Sequence, residues 1–425
     1  MWLLYESLYL IGLLLYLPKA IWRRRLPHRG WSMRLGRYPA PVGERLKGRR
    51  SIWIHAVSVG EVQAVRPLVR ALAQRVSQDA MVLSTVTPGG FEVASQQMAD
   101  RGLAIYAPLD VRGCVRRALE VLHPRCLLLV ESEFWPTVIW LTKARGIPIA
   151  VVNGRISARA FPRYRFVARA LAGTFARIDR FLMQSQADAE RLIQLGADPA
   201  SVIVTGNLKW DASLGDRPSP DAIRETAIRL GLNGEEPVIV AGSTHRGEET
   251  ALLEAFRTVR TLHPSVRLIV APRHLERVGE LVDLIRGAGF TASRFSQGNG
   301  TGTWDIGIVD TFGQLPSYYA LATIVFIGGS LIPHGGQNPL EAASLGRSIV
   351  FGPFMHNFAD IARQLTAHQA ARQLASPAEL TETFQALLTD RTDTLAMGAR
   401  ARALTERSQG AVQRTLDALQ PLLSF

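Results

Sequence analysis

Short apolar, β-branched runs alternate with stretches of helical periodicity along most of this 425-residue chain. From Ser51 onward, strands are predicted at SIWIHAV, MVLSTV, LAIYAPL, CLLLVES, IPIAVVNG, RFLMQS and SVIVTGN. The stretches between most of these runs predict amphipathic helices, for example over residues 61–76. Such alternation predicts a parallel sheet that is covered by helices on both faces.

The pattern is interrupted over residues 206–235, which are polar and contain several prolines and glycines. A second series of strands is predicted at PVIVAGS, VRLIVAPRH, IGIVDTFGQL, ATIVFIGGS and SIVFGP. We therefore predict an α/β protein with two doubly wound, Rossmann-like domains, over 51–210 and 236–390, joined by a linker over 211–235. By fold-level analogy, we expect the domains to face one another across a cleft and a helical tail over 391–425 to pack on the first domain.

The first 22 residues are apolar apart from Glu6, Ser7 and Lys19, and a basic segment over 23–50 follows them. The apolar run is close to the ~18–20 residues that span a bilayer, and the positive charge behind it predicts a cytoplasmic location for the rest. No small-residue cleavage site follows, so we predict a single-pass N-terminal anchor over 1–22. A helix lying in the membrane interface is the alternative.

Charge supports a membrane surface better than a nucleic acid as the partner of the basic segment. Residues 19–50 contain eleven Lys or Arg side chains and one acid, in a chain of net charge +13. Because this charge adjoins the apolar run, anionic lipid explains it more directly than nucleic acid does. The two cysteines, Cys114 and Cys126, form no disulfide framework or metal-ligand spacing, which fits a reducing compartment.

Several nucleotide-binding and metal-binding patterns are missing from the sequence. It contains no Asp-x-Asp pair, no His/Cys cluster, no Walker loop and no G-x-G-x-x-G after the first strand. These absences disfavour metal-assisted diphosphate chemistry, kinases and dinucleotide-dependent oxidoreductases.

In the first domain, the candidate chemistry is acidic. Glu61 follows the first strand in the turn SVGE, at the start of a helix. It is either an acid that favours the helix dipole or a catalytic base at the carboxyl end of a strand. A helix start lowers the pKa of a carboxyl, so the base needs desolvation to compensate. Glu131 and Glu133 end another strand in VESEFWP, and Lys209 lies in TGNLKWD, either to offset an acid or as an ordinary surface lysine.

In the second domain, the glycine-rich stretch GGSLIPHGGQNPLEAA leads from a strand into a helix. Asn338 is predicted as its N-cap and Pro339 as its first residue, which would expose backbone N–H groups to a phosphate. Glu341 either closes a capping box with Asn338 or accepts hydrogen bonds from a ribose.

Two further strand ends carry candidates whose local alternatives are ordinary loops. Arg273, in VAPRH, either neutralises a phosphate or is solvated. Phe312, Gly313 and Gln314 either hold a nucleobase or form a plain turn.

In the first domain, the stretch 154–169 interleaves arginines with aromatic residues and suits an anionic amphiphile at a membrane surface. Single-stranded nucleic acid would also suit it, but no recognised nucleic-acid module surrounds it. Its candidate acceptor or membrane contacts are Arg155, Arg159, Arg163 and Arg165.

Taken together in this order behind an apolar N terminus, HAVSVGEVQA, ESEFWP, GNLKWD, APRH and GGSLIPHGGQNPLEAA resemble the Kdo (3-deoxy-D-manno-octulosonic acid) transferases of lipopolysaccharide synthesis. The resemblance covers essentially the whole chain. It implies a GT-B glycosyltransferase at the cytoplasmic face of the bacterial inner membrane. Such an enzyme transfers Kdo from CMP-Kdo to the lipid A precursor lipid IVA, a bisphosphorylated tetra-acyl disaccharide, and we expect it to need no cofactor or metal.

The resemblance also implies roles for individual residues. Glu61 corresponds to the catalytic base, and Glu131 and Lys209 correspond to stabilisers of the transition state. Direct displacement would invert the anomeric centre. Phe312 departs from the residue expected at its position, which leaves its side-chain role and that of Gln314 open. The segments that would hold CMP comprise Pro272, Arg273, Phe312, Gly313, Gln314, Asn338, Pro339, Leu340 and Glu341.

Two other functions remain open on the sequence: a lipid-linked transferase of the same fold that uses a UDP-sugar, and a membrane-associated scaffold that has lost catalysis. The sequence does not determine the number of Kdo units added or the oligomeric state.

Overall fold

The structure is a computed structural model that describes residues 2–22, 30–76, 81–212, 217–297 and 304–423. Parts of several predicted segments lie outside these described residues. They are residue 1 of the predicted anchor, 23–29 of the basic segment, 77–80 and 298–303 of the two domains, 213–216 of the linker and 424–425 of the tail.

The chain divides into two compact units. Unit 1 comprises Met1–Ala212 and Gln409–Phe425, and unit 2 comprises Ser213–Ser408. Each unit contains its own parallel sheet, so the prediction of two parallel-sheet α/β domains is confirmed.

In the described part of unit 1, seven parallel strands pair in the order β3-β2-β1-β4-β5-β6-β7. Alternate side chains of β1 and β4 enter two separate cores: Trp53 and Leu127 pack on one face of the sheet, and Ile54 and Leu128 on the other. Burial on both faces explains why these strands read as continuous apolar runs. The strands are β1 (Ser51–His55), β2 (Met81–Thr85), β3 (Leu103–Tyr106), β4 (Pro124–Val130), β5 (Ile149–Gly154), β6 (Arg180–Met183) and β7 (Val202–Val204).

Helices cover both faces of this sheet. The first ten are α1 (Trp2–Trp22), α2 (Trp31–Arg34), α3 (Ala40–Leu46), α4 (Val59–Arg75), α5 (Pro88–Met98), α6 (Arg112–Leu122), α7 (Pro136–Lys143), α8 (Phe161–Phe175), α9 (Gln186–Gln194) and α10 (Leu208–Ala212).

Unit 2 repeats the architecture, and its described strands pair in the order β10-β11-β9-β8-β12-β13-β14, all parallel. The short strands β10 and β14 were not predicted, because their sequences, ASR and RQ, are mostly polar and form no apolar run. The strands are β8 (Val238–Thr244), β9 (Arg267–Pro272), β10 (Ala292–Arg294), β11 (Ile306–Ile308), β12 (Ile324–Ile327), β13 (Ser348–Phe351) and β14 (Arg372–Gln373). The helices are α11 (Pro220–Arg229), α12 (Glu248–Leu262), α13 (Val278–Gly287), α14 (Leu315–Tyr319), α15 (Leu340–Ser344), α16 (Ala359–Ala367), α17 (Leu380–Thr389) and α18 (Arg391–Arg407).

The segment 391–425, predicted as one helical tail, is divided between the units. Helix α18 belongs to unit 2, whereas the last helix, α19 (Ala411–Leu423), belongs to unit 1. The apolar face of α19 contributes Leu416 and Leu419 to one of the two cores of unit 1. The carboxylate of Asp211, at the end of α10, accepts hydrogen bonds from the backbone N–H groups at the start of α19.

The predicted anchor segment forms helix α1, whose first turns contact the rest of unit 1. The Tyr5 hydroxyl donates to Asp110 Oδ2 at 2.6 Å, and Glu6 Oε1 accepts the N–H of Arg112 at 2.8 Å. The exposed apolar side chains of α1 include Leu8, Leu10, Ile11, Leu14 and Leu15. Within the residues that the structure describes, no helix is both long enough and apolar enough to cross a membrane.

Strand order places the candidate sites in each unit. The direction of winding reverses between β1 and β4 in unit 1 and between β8 and β12 in unit 2. In open α/β sheets, ligands bind outside the carboxyl ends of the strands at such reversal points. The candidate sites are therefore expected in the loops that follow these four strands.

Candidate functional site

Glu61 lies in the loop after β1 and closes a capping box at the start of α4. Its Oε1 accepts the Ser58 hydroxyl and its Oε2 accepts the N–H of Val57, both at 2.8 Å. The N–H of Glu61 in turn donates to Ser58 Oγ at 3.4 Å. This reciprocal arrangement satisfies backbone donors that a helix start leaves unpaired. The carboxylate therefore has a structural role in addition to any chemical one.

The environment of Glu61 nevertheless favours its protonated form. Burial raises the pKa of Glu61 to about 7, and the neighbouring carboxyls of Glu133 and Glu131 act in the same direction. The hydrogen bonds from Val57 and Ser58 lower the pKa but do not cancel the effect of burial. Desolvation thus outweighs the stabilisation of the ionised form at the helix start. A carboxyl that titrates near neutral pH is suited to accept a proton during catalysis.

Glu131 and Lys209 form an ion pair, so Lys209 offsets an acid, which was one of the two alternatives for it. Lys209 Nζ lies 3.2 Å from Glu131 Oε1, and each side chain is 18% exposed. Glu131 has a left-handed backbone with φ of +59°. Non-glycine residues in this conformation are strained and concentrate at functional sites. Asn153, at the end of β5, accepts the N–H of Leu208 and thereby holds the start of the helix that carries Lys209.

The second acid of this loop, Glu133, is held by an aromatic residue. The indole N–H of Trp135 donates to Glu133 Oε2 at 2.6 Å, and the Trp135 ring meets His55 edge-on with centroids 5.7 Å apart. Burial raises the pKa of Glu133, and burial lowers the pKa of His55 to about 4. His55 is therefore neutral near pH 7. We call residues 131–135 the acid loop, because its two carboxyls, Glu131 and Glu133, raise the pKa of Glu61.

In unit 2, the glycine loop after β12 is organised by a residue that the sequence analysis missed. Glu248, fully buried at the start of α12, accepts four backbone N–H groups. Its Oε2 bonds His245 and Gly329 at 2.9 and 2.7 Å, and its Oε1 bonds Ser330 and Leu331, both at 2.9 Å. The stretch HRGEET was a usable signal, because it places acids at a strand-to-helix turn as SVGE does.

The next acid, Glu249, holds a different loop. Arg277 Nη1 donates to Glu249 Oε1 at 3.1 Å, which fixes the segment after β9. In that segment Pro272 is buried and Arg273 is exposed, and the Arg273 N–H donates to the Thr244 carbonyl at 3.0 Å. The guanidinium of Arg273 is thus presented at the carboxyl edge of the sheet.

Two further histidines and two arginines lie around His245 at the same edge. The ring of His245 lies 4.0 Å from that of His334 and 5.7 Å from that of His274, measured between centroids. Burial lowers the pKa of His245 to about 4, and His334, His274, Arg273 and Arg277 add to this shift. Burial disfavours a charge of either sign, but the contributions of Arg273 and Arg277 disfavour a further positive charge and favour a negative one.

The segment after β11 exposes its predicted candidates to different degrees. Phe312 is 78% exposed, and Gly313 has a φ of +81°. Gln314 Oε1 accepts the hydroxyl of Tyr318 at 3.3 Å, and Arg229 donates to the same hydroxyl at 3.3 Å. Gln314 is therefore fixed by its neighbours, whereas the ring of Phe312 is available to a ligand.

The predicted capping of α15 differs in detail. The helix begins at Leu340, so Pro339 precedes it and is not its first residue. Asn338 Oδ1 accepts the N–H of Leu340 at 3.0 Å, and Asn338 Nδ2 donates to Glu341 Oε1 at 3.3 Å. Pro339 already has helical dihedrals (φ −85°, ψ −11°), so Asn338 caps the helix start as predicted and only the assigned boundary differs, by one residue.

The arginine-aromatic stretch lies on and before α8. Arg159, Arg163 and Arg165 are exposed, as is Phe166, while Arg155 is half-buried.

Among the described residues, no group of three or more His, Cys, Asp or Glu side chains is arranged to hold a metal ion. Metal independence stays a prediction.

Comparison with known proteins gives consistent matches. Residues 29–212 match the family model described as 3-deoxy-D-manno-octulosonic-acid transferase (kdotransferase). Among solved structures, the UDP-GlcNAc 2-epimerase from Neisseria meningitidis bound to UDP-GlcNAc superposes with a TM-score of 0.58 over 86% of this chain and 100% of that chain. At 12% identity, this likeness shows a shared GT-B-like fold and nothing more.

Curated relatives extend the match to most of the chain. The 3-deoxy-D-manno-octulosonic acid transferase of Bordetella pertussis is 35% identical over 91% of this chain and 89% of its own length. That of Haemophilus influenzae is 31% identical over 95% of this chain and 92% of its own length. The chain therefore belongs to the 3-deoxy-D-manno-octulosonic acid transferase family and is a glycosyltransferase.

Proposed function

We propose that the enzyme transfers Kdo from CMP-Kdo to lipid IVA with inversion at the anomeric carbon, without a metal, as an early step of lipopolysaccharide assembly. In this proposal, it acts at the cytoplasmic face of the bacterial inner membrane. The observation that carries the proposal is the half-buried Glu61 carboxyl, whose pKa is raised to about 7 beside the acid loop.

The reaction assigned to Glu61 is a proton transfer coupled to displacement. The ionised carboxylate accepts the proton of an acceptor hydroxyl while that oxygen bonds to the anomeric carbon of Kdo. The bond from that carbon to the phosphate oxygen breaks, and CMP leaves with the electron pair. A base whose pKa is close to the working pH is present in its ionised form and still accepts a proton effectively. Attack opposite the leaving group inverts the centre.

Lys209 is proposed to stabilise the anionic charge that develops as CMP leaves, and Glu131 to orient the ammonium group. Their 3.2 Å separation and low exposure favour this assignment, because a charge shielded from water acts more strongly than a solvated one. The strained backbone of Glu131 is consistent with a position that function requires.

The donor site is proposed to lie at the carboxyl edge of the unit 2 sheet. The positive environment of His245 suits the phosphate of CMP and the carboxylate of Kdo. Arg273 would contact the phosphate, and the exposed ring of Phe312 would stack on the base. The other proposed CMP contacts are Pro272, Gly313, Gln314, Asn338, Pro339, Leu340 and Glu341.

The acceptor and the membrane are proposed to meet exposed apolar and basic surfaces of unit 1. Exposed leucines of α1 would enter the lipid, and the arginines around α8 would contact the phosphates of lipid IVA or anionic lipids. Nucleic acid is not proposed as a partner.

Glu61→Gln tests the proposal, with Glu92→Gln, an exposed carboxyl on α5, as the matched control. Purified proteins are incubated with lipid IVA and CMP-Kdo generated in situ, and products are weighed by mass spectrometry. We expect Glu61→Gln to lose transfer by at least about 100-fold, while CMP binding by calorimetry and the melting temperature match the control. Normal turnover by Glu61→Gln would remove it from the base role. Stabilisation on heating by UDP in place of CMP would favour a UDP-sugar donor.

A further inference from the structure

Asp110 is a fully buried carboxylate that caps a helix distant from it in the chain. It lies between β3 and α6, and its Oδ1 and Oδ2 accept the N–H groups of Val138 and Thr137 at 2.8 and 3.2 Å. These donors belong to the first turn of α7, whose own preceding residue, Trp135, supplies no side-chain cap. Asp110 therefore provides the acceptors that this helix start lacks locally.

The N-terminal helix completes the coordination of Asp110. The Tyr5 hydroxyl donates to Asp110 Oδ2 at 2.6 Å and is the third donor to this carboxylate. The next residue, Glu6, accepts the N–H of Arg112 at the start of α6. Helix α1 thus supports the starts of two helices of unit 1, one directly through Glu6 and one through Asp110.

The start of α7 is continuous with the acid loop. Trp135 directly precedes α7, and its indole holds the Glu133 carboxyl at 2.6 Å. Glu133 contributes more than Glu131 does to the electrostatic environment of Glu61. A displacement at the start of α7 would therefore move Trp135 and Glu133 relative to the proposed base.

We infer that Tyr5 and Asp110 are positioning residues for the acid loop, so that α1 takes part in catalysis in addition to any role in membrane attachment. Neither residue touches a reacting group. Without the Tyr5 hydroxyl, the buried carboxylate retains two of its three donors and must shift or admit water to recover the third. Misplacement of a catalytic group by about 1 Å can lower turnover by about 100-fold. The inference rests on the proposed function, in which Glu61 is the base.

Tyr5→Phe in the full-length protein tests the inference, since it removes only the hydroxyl. Assays in detergent micelles make attachment to a bilayer irrelevant. We expect kcat to fall about tenfold and the KM for CMP-Kdo to change less than about twofold. The groups acting on Glu61 are Glu133, Glu131 with its partner Lys209, the Ser58 hydroxyl and a backbone N–H. Loosening the acid loop weakens the repulsion between carboxyls, so the acid limb of the kcat/KM profile should move to lower pH.

Tyr38→Phe is the matched control, because it removes another phenol hydroxyl of unit 1, one that donates to the Tyr106 carbonyl at 3.5 Å. It should behave as wild type. If Tyr5 acts through Asp110, Tyr5→Phe should have no further effect in an Asp110→Asn background.

The outcomes separate the inference from the proposed function. An unchanged kcat and pH profile in Tyr5→Phe would overturn the inference, as would a loss of activity that follows the melting temperature with no change in the profile. A wild-type enzyme that transfers no Kdo would overturn the proposed function and the inference together.

Discussion

Replacing Glu248 by glutamine should open the glycine loop of unit 2. The carboxylate accepts four N–H groups, two at each oxygen, from His245 and from residues 329–331. Glutamine keeps one oxygen and presents an NH₂ group to the other two donors, so two hydrogen bonds are lost. A hydrogen bond to a charged group contributes about 1.5–3 kcal/mol. The free energy that opposes local opening of the loop should therefore fall by about 3–6 kcal/mol. Each 1.4 kcal/mol corresponds to about a factor of ten.

Hydrogen exchange measured by mass spectrometry reports this change directly. Peptides covering residues 326–333 should exchange about 100-fold to 10,000-fold faster in Glu248→Gln than in wild type, if local opening governs exchange. The affinity of Glu248→Gln for CMP should be lower than that of the wild type. Glu254→Gln, on the exposed face of the same helix, is the control and should change stability by less than about 0.5 kcal/mol. Wild-type exchange in this peptide together with wild-type CMP affinity would refute the assignment of Glu248 as the organiser of the loop.

Three further predictions concern the proposed chemistry. The kcat/KM of the wild type should rise with pH through about 7, because the proposed base, Glu61, is active when ionised, and Glu133→Gln should move this limb to lower pH; a limb that stays in place contradicts the electrostatic role of Glu133. Lys209→Met should lower kcat about 100-fold while the affinity for CMP is retained. Lys143→Met, which breaks another ion pair of unit 1, is the control and should have a kcat near that of the wild type. An equal loss of kcat in both variants would argue for a structural role of Lys209. Transfer should persist in excess EDTA, and a loss that Mg²⁺ restores would exclude the metal-free mechanism.

The architecture was largely readable from the sequence because burial on both faces of a parallel sheet leaves a direct mark on composition. Every residue of β1 and of β2 is buried, and each strand was recognised as an apolar run. The short strands β10 and β14 are mostly polar and leave no such mark, so they were missed. The division of the C-terminal segment was missed for another reason, since the helical periodicity of α18 and α19 does not specify which sheet each helix covers.

The candidate site was likewise predicted only in part. Glu61 and Lys209 were predicted as candidates because they lie in motifs at strand ends. Glu248 and Asp110 were missed because their partners lie far away in the chain: Glu248 bonds a loop 81–83 residues later, and Asp110 bonds a tyrosine 105 residues earlier. The pKa of Glu61 could not be obtained from the sequence, because the desolvation that dominates it depends on packing.

The position of α19 has a consequence for the order in which the chain folds during synthesis. Unit 2 is one continuous stretch, Ser213–Ser408, and all of it leaves the ribosome before α19 does. Unit 1 begins first, yet Leu416 and Leu419 of its core are translated only after the whole of unit 2. The rest of unit 1, including the acid loop, must therefore wait with an incomplete core while the whole of unit 2 is made. A chain that stops between Ser408 and Ala411 would therefore have a complete unit 2 and a unit 1 that lacks α19 and its share of the core.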